Sequence, residues 1–595
     1  MRRTVLLIAA GAFFLALGLR LSNAPVVFDG DVPRISVLDD LYQFKRMAFT
    51  AAHFPRVLDL DPDRGERGAF CPWPPLYDFT AGTIARALGA STEVDVLLRV
   101  VWFPPLFTAL FIAAVAGLVT RRFGWEAGAT IGIALSVSPP LIAESSLGNI
   151  DHHFLEAPLV FAILGSVIPS AARDLAAGWR AAPPARSLAN ARDDVGAGIA
   201  LGLAITAALF VRPALLIPAA LAFALLFVFS DGLATAWGFG IAALAVSLYR
   251  LTRPPDYPNL EWFLGWPHAA LLGAAAVAGA VFFLRRRRLF ALACGAAVVF
   301  ATPSAPGSIV FGSEFVSGNA WLRTIVEAQP IWSSDAAWRI ASLSMGAIFV
   351  WLLLAVAVRR RDPTIGVIGV FAAVEFLLVL RNVRYLSVTI PLLMLAGTIY
   401  AALLPQRFRR IALLAMVIPA VIQFGMWQRR PFAPIIGERE APWIRAATFL
   451  RRQTGGGRVL APWSMGHTLD VIGGRPVIID NFGMMSDQMS FERAHDAFLV
   501  HDEESLWRYC RAADVRFVVL DNPAYGLQGA AATLGLDPEK FAATKLAART
   551  WWWRAYYGRE RAVRRFRLAY VDPQPSWRGT PVLRGPALMI WERNP

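Results

Sequence analysis

The sequence predicts a polytopic α-helical membrane domain followed by a mixed α/β domain, and three observations carry that prediction. Apolar runs near the bilayer-spanning length of about 20 residues recur through the first two-thirds of the chain. Arginine clusters follow nearly every second run. After about residue 428 the apolar pattern stops, and a mixed sequence continues to Pro595. Composition agrees: 56% of the 595 residues are hydrophobic, only 17% are charged, and mean hydropathy is +0.49, values that soluble globular chains rarely reach.

The spacing predicts about thirteen spans, near 4–22, 98–120, 124–143, 154–170, 195–211, 213–230, 232–249, 263–284, 289–304, 340–358, 363–380, 386–404 and 411–427. The opening MRRTVLLIAAGAFFLALGLRL is charged and greasy like a signal peptide. It lacks a small-x-small cleavage site and many spans follow, so it is expected to stay as the first helix. The membrane domain is then 1–427 and the tail domain 428–595.

Charge placement sets the orientation. Arginines cluster at Arg121–Arg122, between Arg173 and Arg192, at Arg285–Arg288, at Arg359–Arg361 and at Arg407–Arg410. The positive-inside rule puts all of these in the cytoplasm with the N-terminus. The loops 23–95, 145–153, 250–262, 305–339 and 381–385 then face outside, together with the tail. The net charge of +15 is thus a topology signal, and nucleic acid is not an expected partner. The arginine- and alanine-rich composition suggests a bacterial inner membrane, which makes the tail periplasmic. Three cysteines give no disulfide framework and no metal knuckle, although Cys71 and Cys510 share a compartment and could be bridged.

The unusual polar residues fall on the outer side. VLDDLYQFKRM carries Asp39 and Asp40, SSLGNIDHHFLEAP carries Asp151, His152, His153 and Glu156, RTIVEAQP carries Glu327, and LVLRNVRYLSV carries Arg381 and Arg384. An acid at a span end is ordinarily just solvated, a D-H-H triplet can be a hydrogen-bonded loop, and Glu327 can cap a short helix. Their joint placement favours a divalent-metal site at Asp40, Asp151, His153 and Glu327. Carboxylate oxygens suit Mg²⁺ or Mn²⁺, and an imidazole shifts the preference toward Mn²⁺. An arginine at the same level suits a phosphate.

These residues resemble the motifs of the oligosaccharyltransferase catalytic subunits, of the single-subunit bacterial and archaeal type. Asp40, Tyr42 and Arg46 stand as in the family's first acidic motif. Asp151-His152-His153 is similar to its D-x-H form, and Thr324-Ile325-Val326-Glu327 to its T-I-x-E loop. Arg384 in NVRYLSVTIP resembles the arginine that contacts the donor pyrophosphate, and Arg339 has the spacing of one that reads the acceptor peptide. The resemblance implies the C-type glycosyltransferase fold (GT-C). It implies a glycan moved from a polyprenyl-linked donor in the membrane lipid to an asparagine of a protein or peptide acceptor, with Asp40 and Glu327 catalytic. One departure stands out. Where the family has W-W-D-Y-G, this chain has Pro462-Trp463-Ser464-Met465-Gly466, so that Trp463, Ser464 and Gly466 would meet the acceptor without the carboxylate that grips the sequon hydroxyl. A charged acceptor outweighs a hydroxyl there by about 1–2 kcal/mol. A non-sequon acceptor (lipid, polysaccharide or another protein side chain) is the alternative, as is a non-catalytic protein that binds or moves lipid-linked sugars.

In the tail, RVLAPW, RPVIID and RFVVLD read as buried strands, and APWIRAATFLRR and EESLWRYCRAA as amphipathic helices. The aromatic and arginine-rich strip RTWWWRAYYGRERAVRRFRLAYV reads as aromatics packed on the domain core in preference to a glycan or lipid surface. Glu375, inside VFAAVEFLLVL, is the main ionisable residue expected at mid-span.

Overall fold

The computed structural model describes residues 2–36, 38–176, 188–228, 231–258, 262–285, 287–302, 350–357, 362–428, 441–485, 487–523, 526–527, 530–531, 537, 541, 545–558, 564–575 and 585–595. Among these, seven helices are long and apolar enough to cross a membrane: Arg2–Arg20, Glu93–Phe123, Asp193–Val211, Gly232–Leu251, Trp266–Arg285, Val383–Ala402 and Gln406–Gly425. Trp125–Ser136 and Pro139–Ser145 form an eighth if counted as one span, bent by 57°. The bend follows from Pro139-Pro140, which supply no N–H to continue the ladder. Four shorter apolar helices, His152–Ile168, Pro213–Val228, Arg288–Ala301 and Thr364–Leu380, also lie on expected spans. The span expected near 340–358 lies mostly outside the described residues.

Small residues let these helices approach closely. A Cβ on Gly202 would lie 2.8 Å from the Gly238 carbonyl oxygen, and one on Gly232 would lie 2.7 Å from that of Gly279. At the end of the first helix, buried Arg20 donates to Ser145 Oγ at 2.7 Å and to the Ser136 carbonyl at 3.3 Å. The Leu147 amide donates to the Arg20 carbonyl at 3.1 Å. One buried guanidinium therefore fixes the segment that leads into Asp151.

Residues 23–95 fold over that end of the bundle. Helix Asp39–His53 packs on helix Leu76–Ala87 so tightly that a Cβ on Gly82 would lie 2.6 Å from the Met47 carbonyl oxygen. Buried Arg46 and Asp78 pair at 2.5 Å across the contact. Between them, strands β1 (Leu60–Asp61) and β2 (Ala69–Phe70) form a small antiparallel hairpin.

The tail carries a four-stranded sheet in the order β3-β4-β6-β5, with β3 Arg458–Leu460, β4 Val515–Asp521, β5 Phe566–Val571 and β6 Leu588–Arg593. β3 and β4 pair in parallel, with Val459 opposite Phe517, and the other pairs are antiparallel. The strand expected at RPVIID is only a pair of bridges, from Val477 to Arg64 and to Val459. Pro476 has no N–H to extend it. In the aromatic strip, helix Trp551–Gly558 buries Trp551, Trp552 and Tyr556 in the core with Trp591. Cys71 and Cys510 are both free and buried, in separate clusters, so the possible bridge between them does not form.

Candidate functional site

Asp40 opens helix Asp39–His53, where its carboxylate oxygen Oδ1 accepts the amide of Asp151 at 3.0 Å and that of Ile150. The first acidic motif is thereby joined to the D-H-H stretch. Burial, with Asp151 adding to it, holds the Asp40 carboxyl well above the usual carboxylate range. Burial acts on Asp151 in the same direction, but His153 and His152 outweigh it and hold that carboxyl below its ordinary value.

Asp151 caps the 3-10 turn His152–Leu155, its side chain accepting the His152 amide at 2.7 Å. Its Oδ1 lies 2.7 Å from His152 Nδ1 and its Oδ2 lies 3.2 Å from His153 Nε2. Gln43, one helical turn after Asp40, reaches His152 Nδ1 at 2.8 Å and Asp151 Oδ1 at 3.5 Å. Arg384 arrives from the 3-10 turn Val383–Tyr385 and places Nη2 3.4 Å from His153 Nε2.

The residues fit a divalent ion. Asp151, His152 and His153 can each offer one ligand atom such that all lie within 4.8 Å of one another. His152 Nε2 is buried without a hydrogen-bond partner among the described residues. A set of one oxygen and two imidazole nitrogens suits Mn²⁺ or Zn²⁺ better than Mg²⁺.

Three of the residues expected to meet the acceptor lie in the tail. Trp463 and Ser464 form the 3-10 turn Trp463–Met465, and Gly466 begins helix Gly466–Val471. Gly466 is packed against Asp480, and a Cβ there would lie 2.5 Å from the Ile479 carbonyl oxygen. The next residue, His467, is fully buried and stacks on Tyr42 with ring centroids 4.7 Å apart. Arg64 donates to the Tyr42 hydroxyl at 3.0 Å and pairs with Asp480. Trp73 then packs edge-on against Phe482 at 4.5 Å and against His152 at 5.3 Å. An aromatic chain thus runs from the tail to the D-H-H stretch. Beside it, Lys45 pairs with Asp61 at 2.9 Å, Asp63 at 3.2 Å and Asp470 at 2.8 Å, next to a cavity of about 830 Å³.

Of the expected site residues, Asp40, Asp151, His153 and Arg384 come together at one end of the bundle, while Trp463, Ser464 and Gly466 lie in the tail beside Asp480 and His467. Glu327 and Arg339 lie outside the described residues. Sequence reasoning did not assign Gln43, Trp73, Arg212, His467 or Asp480 a place around the cluster. The spacing of Gln43, three residues after Asp40, and the R-x-V-x-x-D-N context of Asp480 carried a readable signal.

Comparison with known proteins follows the same outline. Residues 35–231 match the family described as oligosaccharyl transferase STT3, N-terminal. That stretch, with the first acidic motif and the D-H-H segment inside it, is similar to the N-terminal part of STT3-type oligosaccharyltransferases. The chain is a glycosyltransferase and an integral multi-pass membrane protein. No curated protein matches it. Among solved structures, the archaeal oligosaccharyltransferase AglB from Archaeoglobus fulgidus, in complex with an inhibitory peptide and a dolichol-phosphate, aligns at TM-score 0.80 with 15% identity. That alignment covers 99% of this chain and 88% of AglB. The A. fulgidus enzyme tethered to an acceptor peptide with the NVT sequon aligns at 0.76 with 15% identity, over 99% and 88% of the two chains. Its complex with Zn and sulfate aligns at 0.72 with 16% identity, over 98% and 88%. At this identity the likeness establishes a shared fold for the STT3-type domain and the tail that follows it.

Proposed function

We propose that this chain moves a glycan from a polyprenyl-(pyro)phosphate carrier to a protein acceptor at the outer face of a bacterial inner membrane, as a single subunit. The observation that carries this reading is the meeting of Arg384, from a distant part of the chain, with Asp151 at one nitrogen of the His153 imidazole. The dolichol-phosphate and the acceptor peptide bound by the A. fulgidus enzyme support the donor and acceptor classes.

Asp151 and His153, with His152 beside them, would hold the ion, Mn²⁺ in preference to Mg²⁺, with Asp40 and Glu327 as the further ligands expected from the sequence. The ion would neutralise charge on the departing pyrophosphate. Arg384, beside His153, would bind the same phosphate and add a fixed positive charge where negative charge accumulates. Asp40, anchored on two backbone amides, and Glu327 would hold and activate the acceptor nitrogen, an asparagine amide by resemblance. Trp463, Ser464, Gly466 and Arg339 would contact the acceptor. The test is transfer of a labelled lipid-linked glycan in Mn²⁺ and in EDTA. Chelation should abolish transfer, and Asp40→Ala or Glu327→Ala should lower it by at least about 100-fold. Transfer that survives all three sinks the metal-assisted reading.

Ser464 favours a second reading of the acceptor, because no carboxylate stands at its position to grip a sequon hydroxyl. A peptide library should show weakened or altered dependence on the hydroxyl residue. Strict N-x-S/T dependence would return the acceptor site to the ordinary family pattern.

A further inference from the structure

Glu156 lies just beyond the D-H-H cluster and has no role in the reading above. Its carboxylate is buried at the head of helix Glu156–Ala176, where Oε1 lies 2.7 Å from His153 Nδ1. Nη1 of Arg212 meets the same oxygen. Arg212 is itself buried and comes from the junction where helix Leu188–Val211 ends and Pro213 starts a 3-10 turn. On the opposite edge of the imidazole, Nε2 faces Asp151 Oδ2 at 3.2 Å and Arg384 Nη2 at 3.4 Å.

An imidazole can coordinate through Nε2 only when that nitrogen carries no proton, and the partner of the other nitrogen decides whether it does. A carboxylate at Nδ1 keeps the proton there, fixes the ring plane and raises the basicity of Nε2. The counter-charge on Arg212 matters because a buried carboxylate without one is strongly disfavoured.

We propose that Glu156, braced by Arg212, is a positioning residue that sets the tautomer and orientation of His153 so that Nε2 faces the ion site. The proposal rests on the ion-binding reading above. The Glu156→Gln variant tests it, because a carboxamide whose oxygen is taken by Arg212 turns its NH2 toward His153 Nδ1. That contact favours the proton on Nε2, where it blocks coordination.

The experiment is a Mn²⁺ titration of the full-length chain in lipid nanodiscs, read by electron paramagnetic resonance, for wild type, Asp151→Asn and Glu156→Gln. The melting temperature of each chelated protein is recorded alongside. Glu156→Gln is expected to weaken Mn²⁺ binding by about 10–100-fold while the chelated protein melts cooperatively, as wild type does. If the single variant fails to fold, Glu156→Ala/Arg212→Ala removes the acceptor at Nδ1 together with its counter-charge and should also weaken Mn²⁺ binding. Wild-type affinity in either folded variant, alongside lost binding in Asp151→Asn, overturns the role of Glu156. Failure of the wild-type chain to bind Mn²⁺ overturns the ion-binding reading itself, and this inference with it.

Discussion

Gly466 begins the helix that follows Trp463 and Ser464, and it has no room for a side chain. A Cβ there would collide with Asp480 and with the Ile479 carbonyl. Gly466→Ala should therefore destabilise the tail by about 2 kcal/mol, the usual scale of overpacking. Thermal melting measures that loss, and a melting temperature equal to wild type would contradict it. The same substitution should lower glycan transfer, since it moves the turn that carries Trp463 and Ser464. Much at this scale was legible beforehand. Asp40, Asp151, His153 and Arg384 were readable because each is an ionisable group beside an apolar run, where such groups are rare. His467 and Trp73 were not readable. A buried histidine stacked on a tyrosine leaves no periodic trace, and its partner is more than 400 positions away.

Among the elements, the joint between helix Asp39–His53 and helix Gly466–Val471 is electrostatic as well as aromatic. Three carboxylates, Asp61, Asp63 and Asp470, share the single ammonium of Lys45. Burial pushes the Asp470 carboxyl up to about 7, with Lys45 opposing the rise and Asp61 adding to it. A carboxyl raised in the folded state contributes stability that is fully present below its unfolded value of about 3.9 and is lost as pH climbs through its folded value. The joint should loosen as pH rises from about 4 to about 7 and change little above that. Hydrogen–deuterium exchange across 466–471, corrected for intrinsic rates, should quicken over that interval in wild type and stay level in Asp470→Asn. A wild-type profile without that quickening would remove Asp470 as the titrating group. Strands divided by visibility. β4 was plain because RFVVLD holds a continuous apolar run, Phe517 to Leu520, and β3 was marked by RVLAPW. β5 was hidden inside an aromatic and basic strip that changes from helix to strand within a few residues.

At the scale of the whole molecule, the alternation of arginine clusters with outer acids makes a prediction about sidedness. Single cysteines placed near Arg285–Arg288 and on the tail surface should be labelled from opposite faces of sealed vesicles. Labelling of both from one face would overturn the orientation. The membrane architecture was legible from hydropathy alone, since an apolar run of the right length has few other uses. The arrangement of helices around the cluster was not. It depends on close approaches such as Gly202 to Gly238, which composition does not encode.

The aromatic stack has a practical consequence. Phe482 and His467 on the tail lie in direct ring contact with Tyr42 and Trp73 of the membrane domain. Expressing the tail by itself, cut before residue 441, would strip these side chains of their cover and leave a sticky scar. Such a fragment should self-associate, and crystals grown from it would display contacts that the intact molecule never makes.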